Sequence, residues 1–421
     1  MKSFRAQDLS ISLEQEGSRE YLKVSYPVRY GRYHQITAGD YIYQFNLRGE
    51  IRHLYALGPD WPANEWLKRT EAGDWVYYSN DGYTSVFSLL GEYYLPCFSY
   101  KKNGVVAVDP FTTAPVRRAM DSLGGLREKA GRLLKDPLPA DLRTFLQRVA
   151  GNPGEESPGR SAGLHDMIGG PVTVLPPDTR HVDYDVIPVV IADGCLYNCG
   201  FCTVKSGESF TARSRDDILQ QIERLGEFYG PDLVNYNSLF LGQHDALEAG
   251  ADLIEFASGA AYERLRLERS FMRGANLFFF GSVDSFLSSP DDLFRRLDRS
   301  PFRTYVNLGL ESADQRSLDE LEKPIAVDRV REAFRRMLDL NRRLEHLEIT
   351  ANFVLGPSLP ESHLDSIVEL AGEGVEAVSH KSTLYISPLE NGEVVPEIRR
   401  SVYRIKNRCR VPVFLYLIQR L

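Results

Sequence analysis

The second half of the chain alternates, six times over, between a short apolar run and a long amphipathic one, and that alternation leaves few folds open. Residues 186–192, 233–241, 277–280, 304–310, 347–355 and 384–386 are apolar runs of strand length. Between them the spacing turns helical: Ile218, Ile222 and Leu225 share one face of 216–228, and Val330, Phe334, Met337 and Leu338 one face of 327–340. Strand and helix in strict turn predict βα units around a parallel sheet. Six units in roughly 200 residues suit a partial (β/α)6 barrel, because a closed eight-unit barrel needs about 250. Either version binds its ligands at the carboxyl ends of the strands, where the loops are.

The first half has another texture. Residues 1–110 are rich in aromatic and β-branched side chains, as in Tyr41-Ile42-Tyr43-Gln44-Phe45, Asp74-Trp75-Val76-Tyr77-Tyr78 and Tyr93-Tyr94-Leu95-Pro96-Cys97. Turn formers at Asn80-Asp81-Gly82 and Asn103-Gly104 divide them, so this part reads as a β-rich N-terminal module. Residues 111–180 form a short helical connector and linker. Leu123, Leu126, Ala130, Leu133 and Leu134 give a helical stripe, Asp141 can cap a second helix, and 151–163 is crowded with Gly, Pro and Ser, the chemistry of an exposed loop. The barrel is then expected over 181–395 and a C-terminal packing segment over 396–421. The apolar run 411–421 is too short to span a membrane and predicts a packed strand or helix.

Bulk composition excludes little except extremes. Hydrophobic residues make up 43%, charged residues 26%, and the net charge of −8 offers no general attraction for nucleic acid or anionic membrane. The opening residues lack the apolar core of a secretory signal, so the expectation is a cytoplasmic protein. In that reducing setting five cysteines do not suggest a disulfide scaffold.

Their placement says more. Cys97 and Cys409 stand alone, whereas the loop after the first barrel strand reads Asp193-Gly194-Cys195-Leu196-Tyr197-Asn198-Cys199-Gly200-Phe201-Cys202. Three thiolates spaced this way can each take one iron of a cubane cluster, whose full complement is four. An iron without a protein thiolate is free to bind a small molecule. A structural zinc site is the other reading; it wants four ligands, and His181 or His244 could supply the fourth.

The Cys-x3-Cys-x-aromatic-Cys pattern, on the loop after the first barrel strand, resembles the signature of the radical S-adenosylmethionine (radical SAM) enzymes. The resemblance covers about half of the chain. It implies a radical SAM barrel with one [4Fe–4S] cluster on Cys195, Cys199 and Cys202, whose open iron chelates S-adenosylmethionine. In that family an electron passed through the cluster yields methionine and a 5′-deoxyadenosyl radical, which removes hydrogen from a substrate. It also implies contacts to S-adenosylmethionine: Phe201 near the adenine; Gly242, His244 and Asp245 where the family's Gly-Gly-Glu-like segment meets the methionyl ammonium; and Ser282 closing the third strand. Leu308-Gly309-Leu310-Glu311-Ser312 followed by Leu321-Glu322-Lys323-Pro324 is similar to a stretch of the oxidoreductase-like branch, which puts Glu311 and Ser312 on the ribose or amino-acid end. Asn352 and Gly356 belong to the strand beneath the adenosine, and Ile386 to one suited to pair with the adenine edge. The family's acid three residues after the glycine is absent, position 359 being Leu, and Glu361 comes two later.

The cobalamin-binding Asp-x-His-x2-Gly motif does not occur in residues 1–180, which disfavours cobalamin-dependent methyl transfer. Other methyl transfer is the leading variant of the enzymatic reading, and a zinc- or cluster-stabilised binding protein is the alternative to it. The partners implied are a small-molecule or peptide substrate and a reductant such as flavodoxin or ferredoxin, with no membrane and no nucleic acid. Trp61, Trp66 and Trp75 read first as a β core, Arg117, Arg118, Arg335, Arg336, Arg342 and Arg343 as solvated faces, and Cys97 as an inert buried thiol. His181 and Tyr184, on the segment entering the barrel, are candidates for its mouth.

Overall fold

The computed structural model describes residues 2–20, 29–80, 83–99, 108–151, 158–179, 186–202, 207–373, 375, 380–389 and 395–418. The N-terminal module is an eight-stranded antiparallel meander in sequence order: β1 (Lys2–Ala6), β2 (Leu9–Glu16), β3 (Arg32–Ala38), β4 (Tyr41–Phe45), β5 (Ile51–Ala56), β6 (Trp66–Arg69), β7 (Trp75–Ser79) and β8 (Leu95–Phe98). All three tryptophans and Cys97 are buried, as a β core requires. One element departs from the β-rich reading. Tyr83–Leu90 is a helix, α1, packed on the last strand of the barrel sheet; its Tyr, Thr, Val and Phe favour strand locally, so tertiary packing decides.

The connector holds α2 (Ala114–Leu133), α3 (Ala140–Gly151) and α4 (Pro158–Ile168). Helix α4 corrects the loop expected over 151–163, of which 152–157 lie outside the described residues. Its Arg160 is held between Glu50 and Glu71 and stacks 3.7 Å over the Phe228 ring, while Leu164 and Ile168 are buried. Those contacts outweigh the weak helix propensity of a Gly-, Pro- and Ser-rich segment.

The barrel sheet has seven parallel strands in sequential order: β9 (Ile187–Val189), β12 (Ser238–Leu241), β13 (Ala275–Gly281), β14 (Phe302–Glu311), β15 (Leu347–Leu355), β16 (Leu384–Pro388) and β17 (Val413–Leu415). The short strands β10 (Ala192–Asp193) and β11 (Thr211–Ala212) form a separate antiparallel ribbon. The crossovers carry α5 (Arg215–Tyr229), α6 (Ala251–Arg264), α7 (Val283–Ser288), α8 (Asp291–Asp298), α9 (Gln315–Glu320), α10 (Val327–Arg343), α11 (Glu361–Val368) and α12 (Val395–Lys406). The terminal apolar run thus supplies a seventh strand. Helix α10 shows how the faces sort: Val330, Ala333, Phe334, Met337 and Leu340 are buried, and truncating Phe334 to alanine would cost about 3–5 kcal/mol. Arg336 is no solvated side chain, for it bonds the Phe286, Leu287 and Ser289 carbonyls at the end of α7.

A buried charge cluster ties the meander to the amino-terminal side of the barrel. Arg48 bonds the Phe228 and Tyr229 carbonyls that end α5, and pairs with Glu50 and Glu71. Arg52 and the Tyr236 hydroxyl also meet Glu71, whose side chain is 1% exposed. No helix of the described residues is long and apolar enough to cross a membrane.

Candidate active site

The cysteine loop is positioned from both sides. Upstream, Gln221 of α5 clasps Val190 at the end of β9, accepting from its N–H at 2.7 Å and donating to its carbonyl at 3.1 Å. Downstream, Arg213 grips the Asp193 carboxylate with two bonds of 2.7 and 2.6 Å across the β10–β11 ribbon. Between them Gly194 has φ +73°, and a Cβ there would lie 2.3 Å from the Ser209 carbonyl oxygen, so this turn needs glycine. Inside the loop, Tyr197 donates to Asp284 at 2.6 Å, and Asp284 in turn pairs with Arg329 at 2.8 Å.

A cavity of about 230 Å³ opens at the carboxyl ends of the strands. Cys195, Cys199 and Cys202 line it together with Phe201, His244, Asp245, Ser282, Glu311 and Asn352. Five segments, the cysteine loop and those at β12, β13, β14 and β15, therefore converge on one cavity. Burial pushes the Cys199 thiol up to about 11 and raises that of Cys195, while the charge of Lys323 pulls both back.

Asp245, just past β12, is buried, and its two carboxylate oxygens differ. Oδ1 accepts from the Ser282 N–H at 3.0 Å and the Ser285 hydroxyl at 2.7 Å; Oδ2 is buried with no partner at hydrogen-bond distance among the described residues, and the Glu248 N–H also acts on the carboxylate. Burial raises its pKa against those bonds. Ser282 caps α7 in a reciprocal capping box with Ser285, so the carboxylate, the cap and the strand end form one unit. His244 stands beside it, its pKa lowered by burial.

Glu311 ends β14 with φ +65°, at the point where the β14–β15 register slips. Burial raises its pKa, opposed by Lys323, whose ammonium lies 3.4 Å away. On the floor, Asn352 donates to Asn307 at 2.6 Å and Asn307 to Thr350 at 2.8 Å, leaving Asn352 Oδ1 buried without a partner among the described residues. Thr350 donates to Asp178 at 2.8 Å, which pins the segment entering the barrel, and that segment brings Val174 to the cavity. Val354, Leu389, Tyr416 and Ile418 complete an apolar wall opposite the cysteines, and Tyr416 donates to the Leu175 carbonyl.

Four expected contacts lie elsewhere. Ser312 is fully buried behind the wall: His363 Nε2 donates to the Val354 carbonyl, so His363 Nδ1 must accept from the Ser312 hydroxyl at 2.8 Å, and that hydroxyl also takes the Asp314 N–H. Gly242 (φ +84°) shapes the turn after β12 and bonds Val189, without lining the cavity. Gly356 packs under Leu389. The Ile386 carbonyl accepts from the Tyr416 N–H, because a seventh strand has added there; its successors Ser387 and Pro388 reach the cavity instead. His181 and Tyr184 lie outside the described residues. Lys323, Tyr197 and Tyr416 are among the lining residues to which the sequence reading gave no role. The aromatic inside the cysteine loop and the Lys-Pro turn were visible signals, whereas nothing local marked Tyr416.

Among the described residues, no three His, Cys, Asp or Glu side chains close on one point as a single ion would need; the three thiols are ranged around a shared cavity. Three soft thiol donors and a buried carboxylate lining one cavity are a donor set that fits a thiolate-held cluster and a cationic small molecule next to it.

Residues 189–371 match the family model described as the radical SAM superfamily. No curated protein matches the chain. Among solved structures it is similar to a radical SAM methyltransferase from Sphaerobacter thermophilus, at 15% identity and a TM-score of 0.38 over 56% of this chain and 67% of that one. It is also similar to methylornithine synthase, at 11% identity and a TM-score of 0.34 over 70% of this chain and 77% of that one.

Proposed function

Residues 189–371 form a radical SAM domain, and from that premise we propose that the chain is an enzyme that cleaves S-adenosylmethionine reductively in order to take hydrogen from a small-molecule or peptide substrate. Cys195, Cys199 and Cys202 would hold one [4Fe–4S] cluster, the cofactor this superfamily uses with S-adenosylmethionine. Bound together, the two supply a one-electron cleavage of the sulfonium, giving methionine and a 5′-deoxyadenosyl radical.

The chain's own residues then have defined tasks. Asp245 offers Oδ2 to a cationic ammonium, held in place by Ser282 and Ser285. Glu311 and Asn352 Oδ1 offer acceptors to hydroxyl or amino groups, and Phe201 an aromatic face. Val174, Val354, Leu389, Tyr416 and Ile418 keep water from the opposite side, where a reactive carbon would otherwise be quenched. Thiolate ligation requires a reducing compartment, which fits a cytoplasmic enzyme served by flavodoxin or ferredoxin.

The observation that carries this reading is the meeting of three cysteines, the Asp245 carboxylate and an apolar wall in one cavity at the carboxyl ends of a parallel barrel. Anaerobic reconstitution should load about four irons per chain, and dithionite with S-adenosylmethionine should release 5′-deoxyadenosine. Alanine at any of the three cysteines should abolish both. A filled cluster that releases none, or a colourless protein carrying one zinc, overturns the proposal.

A further inference from the structure

The turn between α9 and α10 lies against the cysteine loop at two points. Glu322, in left-handed backbone at φ +49°, packs on Gly200, where an added Cβ would meet its carboxylate at 2.3 Å. The next residue, Lys323, is buried, with its ammonium 5.3 Å from the centroid of the Tyr197 ring, and it lines the cavity with all three cysteines. Among the described lining residues it is the one lysine or arginine.

Pairing with Glu311 does not account for its position. The shortest bond of the ammonium, 2.8 Å, goes to the neutral Gly309 carbonyl, while the Glu311 oxygen stands off at 3.4 Å. A cation placed to neutralise a carboxylate closes to about 2.7–2.9 Å. Here the charge is held by the Gly309 carbonyl, by the Tyr197 ring and, less closely, by the Glu311 carboxylate, in the cavity that all three cysteines line. Asp245 and Glu311 are the carboxylates of the same cavity, and they act on the cysteines with the opposite sign.

Iron–sulfur reduction adds one electron and hence one negative charge to a buried site, and the potential follows the charges around it. The geometry points to Lys323 as a positioning residue for that electron: its fixed positive charge stabilises the reduced cluster and raises the reduction potential within reach of a cellular reductant. Lys323 gives and takes no electron or proton in this step; the electron comes from the external reductant and stays on the cluster. The inference rests on the cluster reading above.

The test is the midpoint potential of reconstituted protein, followed by the electron paramagnetic resonance signal of the reduced cluster during redox titration without S-adenosylmethionine. Lys323→Met should lower the reduction equilibrium about ten-fold or more, which is about 59 mV per ten-fold for one electron. Lys323→Arg, which keeps the charge, should stay near the wild-type value. Should Lys323→Met fail to load its full iron, Lys323→Gln, which retains a donor for the Gly309 carbonyl, makes the same comparison. Equal potentials in wild-type and neutral variants, with equal iron and sulfide, overturn the inference. So does a shift that arises only with S-adenosylmethionine present, since that would make Lys323 a ligand contact. Wild-type protein that takes no cluster at all overturns the functional reading instead.

Discussion

Asp245→Asn changes one atom at the wall of the cavity, and the structure says which. The side-chain position now held by Oδ1 faces two donors, the Ser282 N–H and the Ser285 hydroxyl. The backbone N–H cannot turn away, so the asparagine oxygen must take that place and its NH2 must replace the buried Oδ2. Volume and the bond to the α7 cap are retained, while a charged acceptor becomes a donor. A hydrogen bond to a charged group is worth about 1.5–3 kcal/mol, and each 1.4 kcal/mol is ten-fold in affinity, so S-adenosylmethionine should bind roughly 10- to 100-fold more weakly. Equilibrium dialysis of the reconstituted, unreduced protein measures this without relying on turnover. Affinity in the wild type should also fall as pH is lowered, and earlier than for an ordinary carboxylate, because burial raises the pKa of Asp245 and only its ionised form attracts an ammonium. Affinity within about two-fold of wild type, in a variant with full iron and an unchanged circular dichroism spectrum, would refute the assignment of Oδ2 to the ligand.

Tyr197→Phe removes the hydroxyl that ties the cysteine loop to Asp284. It should cost about 1.5–3 kcal/mol of urea stability and speed the loss of iron to a chelator; unchanged iron loss would show that the loop is held elsewhere. Glu71→Ala leaves Arg48 and Arg52 buried without their shared carboxylate. A loss of about 3–5 kcal/mol in urea unfolding is expected, and a loss below about 1 kcal/mol would mean the cluster is hydrated. His34, His53, His165, His244 and His363 all have pKa values lowered by burial. The unfolded chain therefore binds protons that the native state refuses, so this stability is present above about pH 6.5 and lost as pH falls below it. A urea midpoint equal at pH 7.5 and 5.5 would contradict that.

The barrel was legible in the sequence wherever burial on both faces left its plain apolar mark. The run 347–355 became β15 residue for residue, because a strand covered on both sides has no alternation to confuse it. Residues 233–241 read as one strand, yet Gly230–Asn235 is a 3-10 helix. Its polar side chains decide: Asp232 accepts from the Leu47 N–H, and Asn235 bonds both the N–H and the carbonyl of Arg32. Those partners are 185 and 203 residues away, and no local pattern announces them. The same limit hid α1 and α4. The cysteines were legible for the opposite reason, since their close spacing is local to one loop, and the structure brings all three to one cavity. Ser312 shows where such reading stops. It lies within a recognisable stretch, but its hydroxyl is spent on His363, a residue of another helix.

What the motif stretches supply and what the rest of the chain supplies fall on opposite sides of the cavity. The cysteines, Asp245 and Glu311 come from strand-end loops of the barrel itself. The facing wall is built from Val174, on the segment entering the barrel, and from Tyr416 and Ile418, beyond the seventh strand. Those two segments are joined by the Tyr416–Leu175 hydrogen bond and tied to the floor through Asp178 and Thr350. On the proposed function, a substrate meeting the reactive carbon from this side would have its selection set by this wall. Its chemistry is apolar, with the Asn352 oxygen as the buried acceptor nearby. A substrate that fits must therefore bury a largely uncharged portion there, since a buried charge without a partner costs far more than the apolar contact returns.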